Sequence, residues 1–133
     1  NGTDASGTPA QARKDYQELA GKITDIMEGS EVWTDSDFRE QTLAELTNSN
    51  TRYVSAAVNE TFGKNFRSYV NEYRIKAAMR LMSDQKNYSR LTIQSIGQSV
   101  GFKSSTNFIE AFKRQTGLTP SVYLKITVQN QKS

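Results

Sequence analysis

Apolar positions recur along this chain at helical spacing, in segments that start at residues able to cap a helix and stop at glycine or asparagine. From Ala10 to Glu28 they fall at Tyr16, Leu19, Ala20, Ile23, Ile26 and Met27. That is one face of an amphipathic helix, which Gly29 can end. Val32 and Trp33 follow, positioned to tuck under neighbouring helices. Asp37 and Glu40 have the spacing of a capping box. The helix they open would turn Phe38, Leu43 and Leu46 inward and end near Asn48, a residue that tolerates a left-handed turn. Asn50 or Thr51 caps the next helix, with Val54, Ala57, Val58 and Phe62 inside and Gly63 as its stop. Asn65 caps the longest segment, Phe66 to Ser83, where Phe66, Tyr69, Val70, Tyr73, Ala77, Leu81 and Met82 keep helical spacing and Ala77-Ala78 permits close approach. About 18 residues at roughly 1.5 Å each predict a rod of about 27 Å. After a polar connection over 84–91, Thr92 caps a segment with Ile93, Ile96 and Val100 that stops at Gly101. Phe108, Ala111 and Phe112 mark another that stops at Gly117, and Thr119-Pro120 starts the last.

The pattern repeats. A shift of 54 residues lays Val54-Ala57-Val58-Gly63-Phe66-Tyr69-Val70 over Phe108-Ala111-Phe112-Gly117-Pro120-Tyr123-Leu124. With a one-residue change in the turn, Leu43-Ala44 lies over Ile96-Gly97, where a small residue lets the first helix of each pair approach the second. Two helix-turn-helix units joined by the 66–83 rod are expected. The fold class is therefore all-α, with an extra N-terminal amphipathic helix. The expected division is a disordered linker or cloning remnant over 1–9, a helix and connection over 10–33, a bipartite helix-turn-helix domain over 34–127, and a flexible tail over 128–133.

Composition narrows the function. Apolar residues make up 35% of the 133 and the mean hydropathy is −0.68, as in a small soluble protein with a thin core. No apolar run approaches the roughly 18 residues a membrane span needs, and no signal-peptide core opens the chain. Without cysteine there is neither disulfide nor thiolate metal site, and without histidine the commonest general base and metal ligand are missing. No phosphate-cradling glycine motif is present. An enzyme, a metal site and a cofactor are not expected, and the absence of cysteine fits a cytoplasmic protein. The net charge of +3 hides a segregation: residues 1–50 balance at −6, residues 51–125 at +8. A basic block over a folded region is what a phosphate-binding surface requires, although a solvated basic face has the same composition.

A helix that enters the major groove must offer short polar or forked side chains near its N-terminus. In the first unit these are Arg52, Tyr53, Ser55 and Ala56. Arg52 suits a guanine edge or a phosphate, Ala56 a thymine methyl or close docking, and Tyr53 either the groove or a half-buried place. In the second unit they are Ser105, Thr106, Asn107 and Glu110, with Asn107 suited to adenine. Lys64, Asn65 and Arg67 open the long helix, where free N–H groups favour anions. They are phosphate candidates, as are Arg90 and Thr92 before the second unit, Lys103 and Ser104 at the start of its reading helix, and Lys113 one turn beyond. Ser104 reads better as a helix cap than as a base reader. Lys76, Arg80 and Lys86 read equally as phosphate contacts or as solvated charges. Ile109 is apolar on a partly exposed face, placed to meet a thymine methyl or another protein.

From Phe38 to Lys125 the chain resembles the DNA-binding domain of the AraC/XylS-type bacterial transcription regulators. The matching residues are Leu43-Ala44, Tyr53-Val54-Ser55, Phe62-Gly63-Lys64-Asn65-Phe66 with Tyr69, then Arg74-Ile75, Ala77-Ala78 and Leu81. The most specific stretch is Ile93, Ile96-Gly97, Val100-Gly101-Phe102 and Ser104, followed by Phe108, Ala111-Phe112-Lys113, Gly117, Thr119-Pro120 and Tyr123. Thr47, Ser49 and Glu40 depart from it, being polar where the family is commonly apolar, and Glu110 stands where arginine or a neutral polar residue is frequent. The resemblance implies a seven-helix domain whose two recognition helices, held about 34 Å apart by the long helix, read successive major-groove segments of double-stranded DNA. By position it carries base reading to Arg52, Ser55, Ala56, Ser105, Thr106, Asn107 and Glu110. It also implies a promoter regulator, an activator contacting RNA polymerase, and makes helix 10–29 an add-on or linker to an upstream sensor domain of a longer chain. The competing class is a helical protein-interaction module without DNA specificity.

Overall fold

The computed structural model describes residues 8–84 and 91–132. Among them are seven α-helices: α1 (Pro9–Gly29), α2 (Glu40–Leu46), α3 (Thr51–Phe62), α4 (Phe66–Ser83), α5 (Ile93–Ser99), α6 (Ser105–Thr116) and α7 (Pro120–Lys132), with a 3-10 turn at Val32–Thr34. The chain forms two compact units. The first contains residues 38–69 with the chain up to Val32, and the second contains Trp33–Asp37 with everything from Val70 onward.

Most helix boundaries follow from local hydrogen bonds. The Thr8 hydroxyl accepts from the Gln11 N–H (3.0 Å) and Pro9 occupies the first turn, so α1 starts inside the stretch expected to be linker. Asn50 accepts from the Tyr53 N–H at 2.9 Å and Asn65 from the Ser68 N–H at 2.8 Å. Thr92 and Ser95 form a reciprocal capping box, and Ser104 accepts from the Asn107 N–H at 3.1 Å. Gly63 and Gly117 end α3 and α6 in the left-handed region, and Asn48 stands there at φ 58°.

In the first unit, α1 and α2 both pack on α3. Ala20, Ile23 and Met27 of α1 are buried together with Leu43, Ala44, Val54, Ala57 and Val58. Each large aliphatic side chain buried in this way contributes roughly 1.5–3 kcal/mol, so α1 is part of the unit's core rather than an appendage to it. Phe38 lies against Phe66 (centroids 5.9 Å apart), and Phe62 stacks on Tyr69 at 4.7 Å. Polar Thr47 is buried without penalty because its hydroxyl donates to the Leu43 carbonyl at 2.6 Å.

In the second unit, α5 packs on α6 and α6 on α7. The core is aromatic: Phe108 lies 5.3 Å from Phe102 and 5.8 Å from Phe112, and Phe112 lies 5.4 Å from Tyr123. Helix–helix approach depends on Gly97, where a Cβ would stand 2.7 Å from the Phe108 ring.

Three expectations are corrected. Asp37 does not cap α2, which starts at Glu40 with Arg39 as its N-cap; the Thr42 hydroxyl accepts the Arg39 N–H at 3.2 Å, while the Asp37 carboxylate is drawn to Lys103. The single apolar stripe expected along α4 omits Ile75 and Ala78, which are fully buried. They lie around the helix from Tyr69 and Tyr73, as on a helix with neighbours on more than one side. The last helix continues to Lys132, past residue 127 where the domain was expected to end, so residues 128–132 are helical rather than a flexible tail. Residues 1–7 and the expected contacts Lys86 and Arg90 lie outside the described residues.

Candidate nucleic-acid interface

In the first unit α3 buries Val54, Ala57 and Val58. Helical geometry then puts Arg52, Ala56 and Asn59 on the line facing away from the core, with Ser55 and Tyr53 on its two flanks. Arg52 is exposed, and Ser55 and Ala56 are half-buried. Asn59 is tied down by its amide, which donates to the Ser55 carbonyl at 2.8 Å. Tyr53 takes the half-buried alternative, edge-on to Tyr16 of α1 with centroids 6.3 Å apart. Of the phosphate candidates at the start of α4, Lys64 is half-buried, while Asn65 and Arg67 are exposed. Asn65 has its carbonyl oxygen committed to the cap, leaving its amide N–H groups as donors.

In the second unit α6 buries Phe108, Ala111 and Phe112, the positions equivalent to Val54, Ala57 and Val58. Its outward line is Thr106, Glu110 and Lys113, all exposed. Ser105, also exposed, lies in the first turn. Asn107 is exposed but lies on the flank toward Ala111, equivalent to Tyr53, and its backbone N–H is taken by Ser104. Ile109 occupies the other flank, equivalent to Ser55, and is 37% exposed. Ser104 is the cap, as its residue type suggested. Thr92, exposed, has its hydroxyl engaged as acceptor from the Ser95 N–H.

The Lys103 ammonium lies 2.8 Å from the Asp37 carboxylate, with both side chains more than half exposed. Behind this pair is a cluster built on Arg74, a residue that sequence reasoning marked only as part of the family resemblance. Arg74 donates from Nε to the Trp33 carbonyl at 2.7 Å and from a terminal nitrogen to the Asp35 carbonyl at 3.0 Å. Its guanidinium lies 5.7 Å from the centre of the Phe102 ring. Burial pushes the Arg74 pKa below its ordinary value, and the Asp35 carboxylate acts in the opposite direction. Nothing in the local pattern marks this cluster, since Arg74 lies 41 and 39 residues from its partners.

Among the described residues no helix is long and apolar enough to cross a membrane, and no three acidic residues gather as metal ligands would. What each unit presents is a short helix with its core side buried and a polar, partly cationic side in solvent.

Comparison with known proteins agrees with this geometry. A family model described as a helix-turn-helix domain matches residues 43–126. The chain is 25% identical over 114 residues to an uncharacterized HTH-type transcriptional regulator of Bacillus subtilis, YtdP, covering 86% of this chain and 14% of that protein. It thus spans a small part of that relative's length. Among solved structures it is similar to the C-terminal domain of the two-component response regulator yesN from Fusobacterium nucleatum, with 29% identity, a TM-score of 0.67, and coverage of 80% of this chain and 98% of that one. It also shares the fold of a transcriptional regulator with an AraC-type DNA-binding domain from Chromobacterium violaceum, at a TM-score of 0.66 and 18% identity over 83% of this chain and 97% of that one.

Proposed function

This chain belongs to the AraC-type helix-turn-helix family of DNA-binding domains, and from that premise we propose that it reads two successive major-groove segments of double-stranded DNA, one with α3 and one with α6. The observation that carries this is the equivalence of the two helices. Both start from a side-chain cap, bury the same three positions, end at a left-handed glycine, and turn the same register outward. One buried pattern repeated in two separate cores gives two reading heads on a single chain.

In the first head Arg52 is the base reader, as a forked donor suited to guanine, with Ser55 and Ala56 docking beside it. Tyr53 supports the helix from α1 more than it reads. In the second head Thr106 and Glu110 face the groove most directly, with Ser105, Asn107 and Ile109 beside them. Ile109 has the chemistry to meet a thymine methyl. Lys64, Asn65, Arg67, Thr92, Ser104 and Lys113 supply donors for phosphates, which fix register and provide the salt-dependent part of affinity.

The chain works as the output part of a longer regulator that carries a sensor and activates promoters through contact with RNA polymerase. Support comes from its relatives: it spans 14% of YtdP, and a similar solved structure is the C-terminal domain of a response regulator. Such a domain works where the bacterial chromosome is, in the cytoplasm.

Selection of binding sites from a random duplex library, repeated at several salt concentrations, tests the reading. A bipartite site with its two conserved segments about one helical turn apart, bound steeply less well as salt rises, is expected. Enrichment of no sequence would overturn it in favour of a protein-interaction module.

A further inference from the structure

Asp37 lies outside both helix-turn-helix motifs, yet it reaches the start of α6. The segment that delivers its carboxylate is held from several sides. Arg74 takes the carbonyls of Trp33 and Asp35, and the Asp37 N–H donates to the Asp35 carboxylate at 2.9 Å. Trp33 is buried, with its ring centred 6.2 Å from that of Tyr73. The Gly101 turn between α5 and α6 makes room for the docking: at φ +113°, a Cβ there would stand 2.6 Å from both the Trp33 carbonyl and Arg74 Nε. No side chain larger than hydrogen fits, so the turn and the 33–37 segment are shaped to each other. The outcome is a carboxylate on a fixed backbone, 2.8 Å from the ammonium of Lys103, one residue before the cap of α6.

We propose that Asp37 sets the strength of DNA binding by this unit, by competing with a DNA phosphate for Lys103. This depends on α6 being a DNA-facing helix, as proposed above. The two side chains are 61% and 69% exposed, so water screens the pair and its hold on Lys103 is weak enough for a phosphate to displace. A phosphate that does so also meets the negative charge of Asp37. Lys103 therefore contributes less than one full counterion release while Asp37 is present. Asp37 is a positioning residue, acting on DNA through Lys103 without touching it.

Binding of the purified chain to a random-sequence duplex, measured from low to moderate salt, decides this. Asp37→Asn removes the charge and keeps the shape. It is expected to bind about two- to fivefold more tightly at low salt, with a plot of log K against log salt steeper by up to about 0.9. Asp37→Ser should do the same, and Asp37→Glu should stay near the parent. Asp25→Asn on α1 removes an equal charge and should leave the slope unchanged. A purely structural role for Asp37 would alter melting but not this slope. Parent-like affinity and slope in both neutral variants, or weaker binding at unchanged slope, overturns the competition. A parent chain that binds no duplex at any salt removes instead the DNA reading on which it rests.

Discussion

Replacing Gly97 by alanine tests the packing on which the second unit is built. An alanine Cβ would stand 2.7 and 2.8 Å from two carbons of the Phe108 ring, closer than real Cβ contacts allow. The ring cannot easily give way, because Phe108 is fully buried, with Phe102 5.3 Å away on one side and Phe112 5.8 Å away on another. Overpacking of this kind costs about 1–3 kcal/mol. Against it stands the helix propensity of alanine over glycine, about 0.5–1 kcal/mol. The net expectation is a loss of up to about 2.5 kcal/mol. Gly21 in α1 supplies the control, since a Cβ there meets nothing within 4 Å; Gly21→Ala should stabilise the first unit by about 0.5–1 kcal/mol, read by the loss of helical circular dichroism in urea. Urea unfolding followed by the fluorescence of Trp33, the chain's only tryptophan and part of the second unit, reads that unit directly. The midpoint should fall for Gly97→Ala with little change in slope. Adding Phe108→Leu to Gly97→Ala should cost less than the two single changes together, because the smaller side chain makes room for the methyl. A stabilised Gly97→Ala, or strict additivity in the double variant, would refute the close approach of α5 to α6.

Further predictions concern reading and core. Arg52→Ala should weaken binding to a selected site by roughly 1–3 kcal/mol and relax the preference at one base pair; an equal loss on every duplex in the same titration would make Arg52 a phosphate contact. Asn107→Ala should relax selection at one adenine in the second half-site, read by repeating the site selection. Unchanged selection there would leave the reading of that half-site to Thr106 and Glu110 without Asn107. Phe112→Ala removes a fully buried ring and should cost roughly 3–5 kcal/mol. In urea unfolding the tryptophan transition should shift by that amount, and no base preference should change among molecules that remain folded.

Much of this was legible from residue types alone. Caps at Asn50, Asn65, Thr92 and Ser104, and stops at Asn48, Gly63 and Gly117, close their hydrogen bonds or turns within a few residues, so the local sequence specifies them. The buried triplets of α3 and α6 follow from helical period, and the 54-residue repeat shows that one unit occurs twice. The repeat also points to a close approach of α5 to α6 at Gly97, and there a Cβ would meet the Phe108 ring.

What could not be read locally are the choices that depend on which backbone segments meet. A capping box was a sound reading of Asp37 and Glu40, but Asp37 instead meets a lysine 66 positions later, because Arg74 has fixed the preceding backbone. Periodicity assumed one buried side on α4 and so missed Ile75, since a helix with several neighbours has no single stripe. The family resemblance makes α1 an add-on or linker, yet its apolar side joins the core under α3, and Tyr16 decides the fate of Tyr53. Local sequence set the caps and stops of most helices and the buried sides of α3 and α6, because those depend on contacts three or four residues apart; it did not set the start of α2 or the end of α7, and it turned inward a Leu46 that the structure leaves exposed. Tertiary structure decided which charges remain available to a ligand, because pairing across dozens of residues is settled only once the backbone is in place.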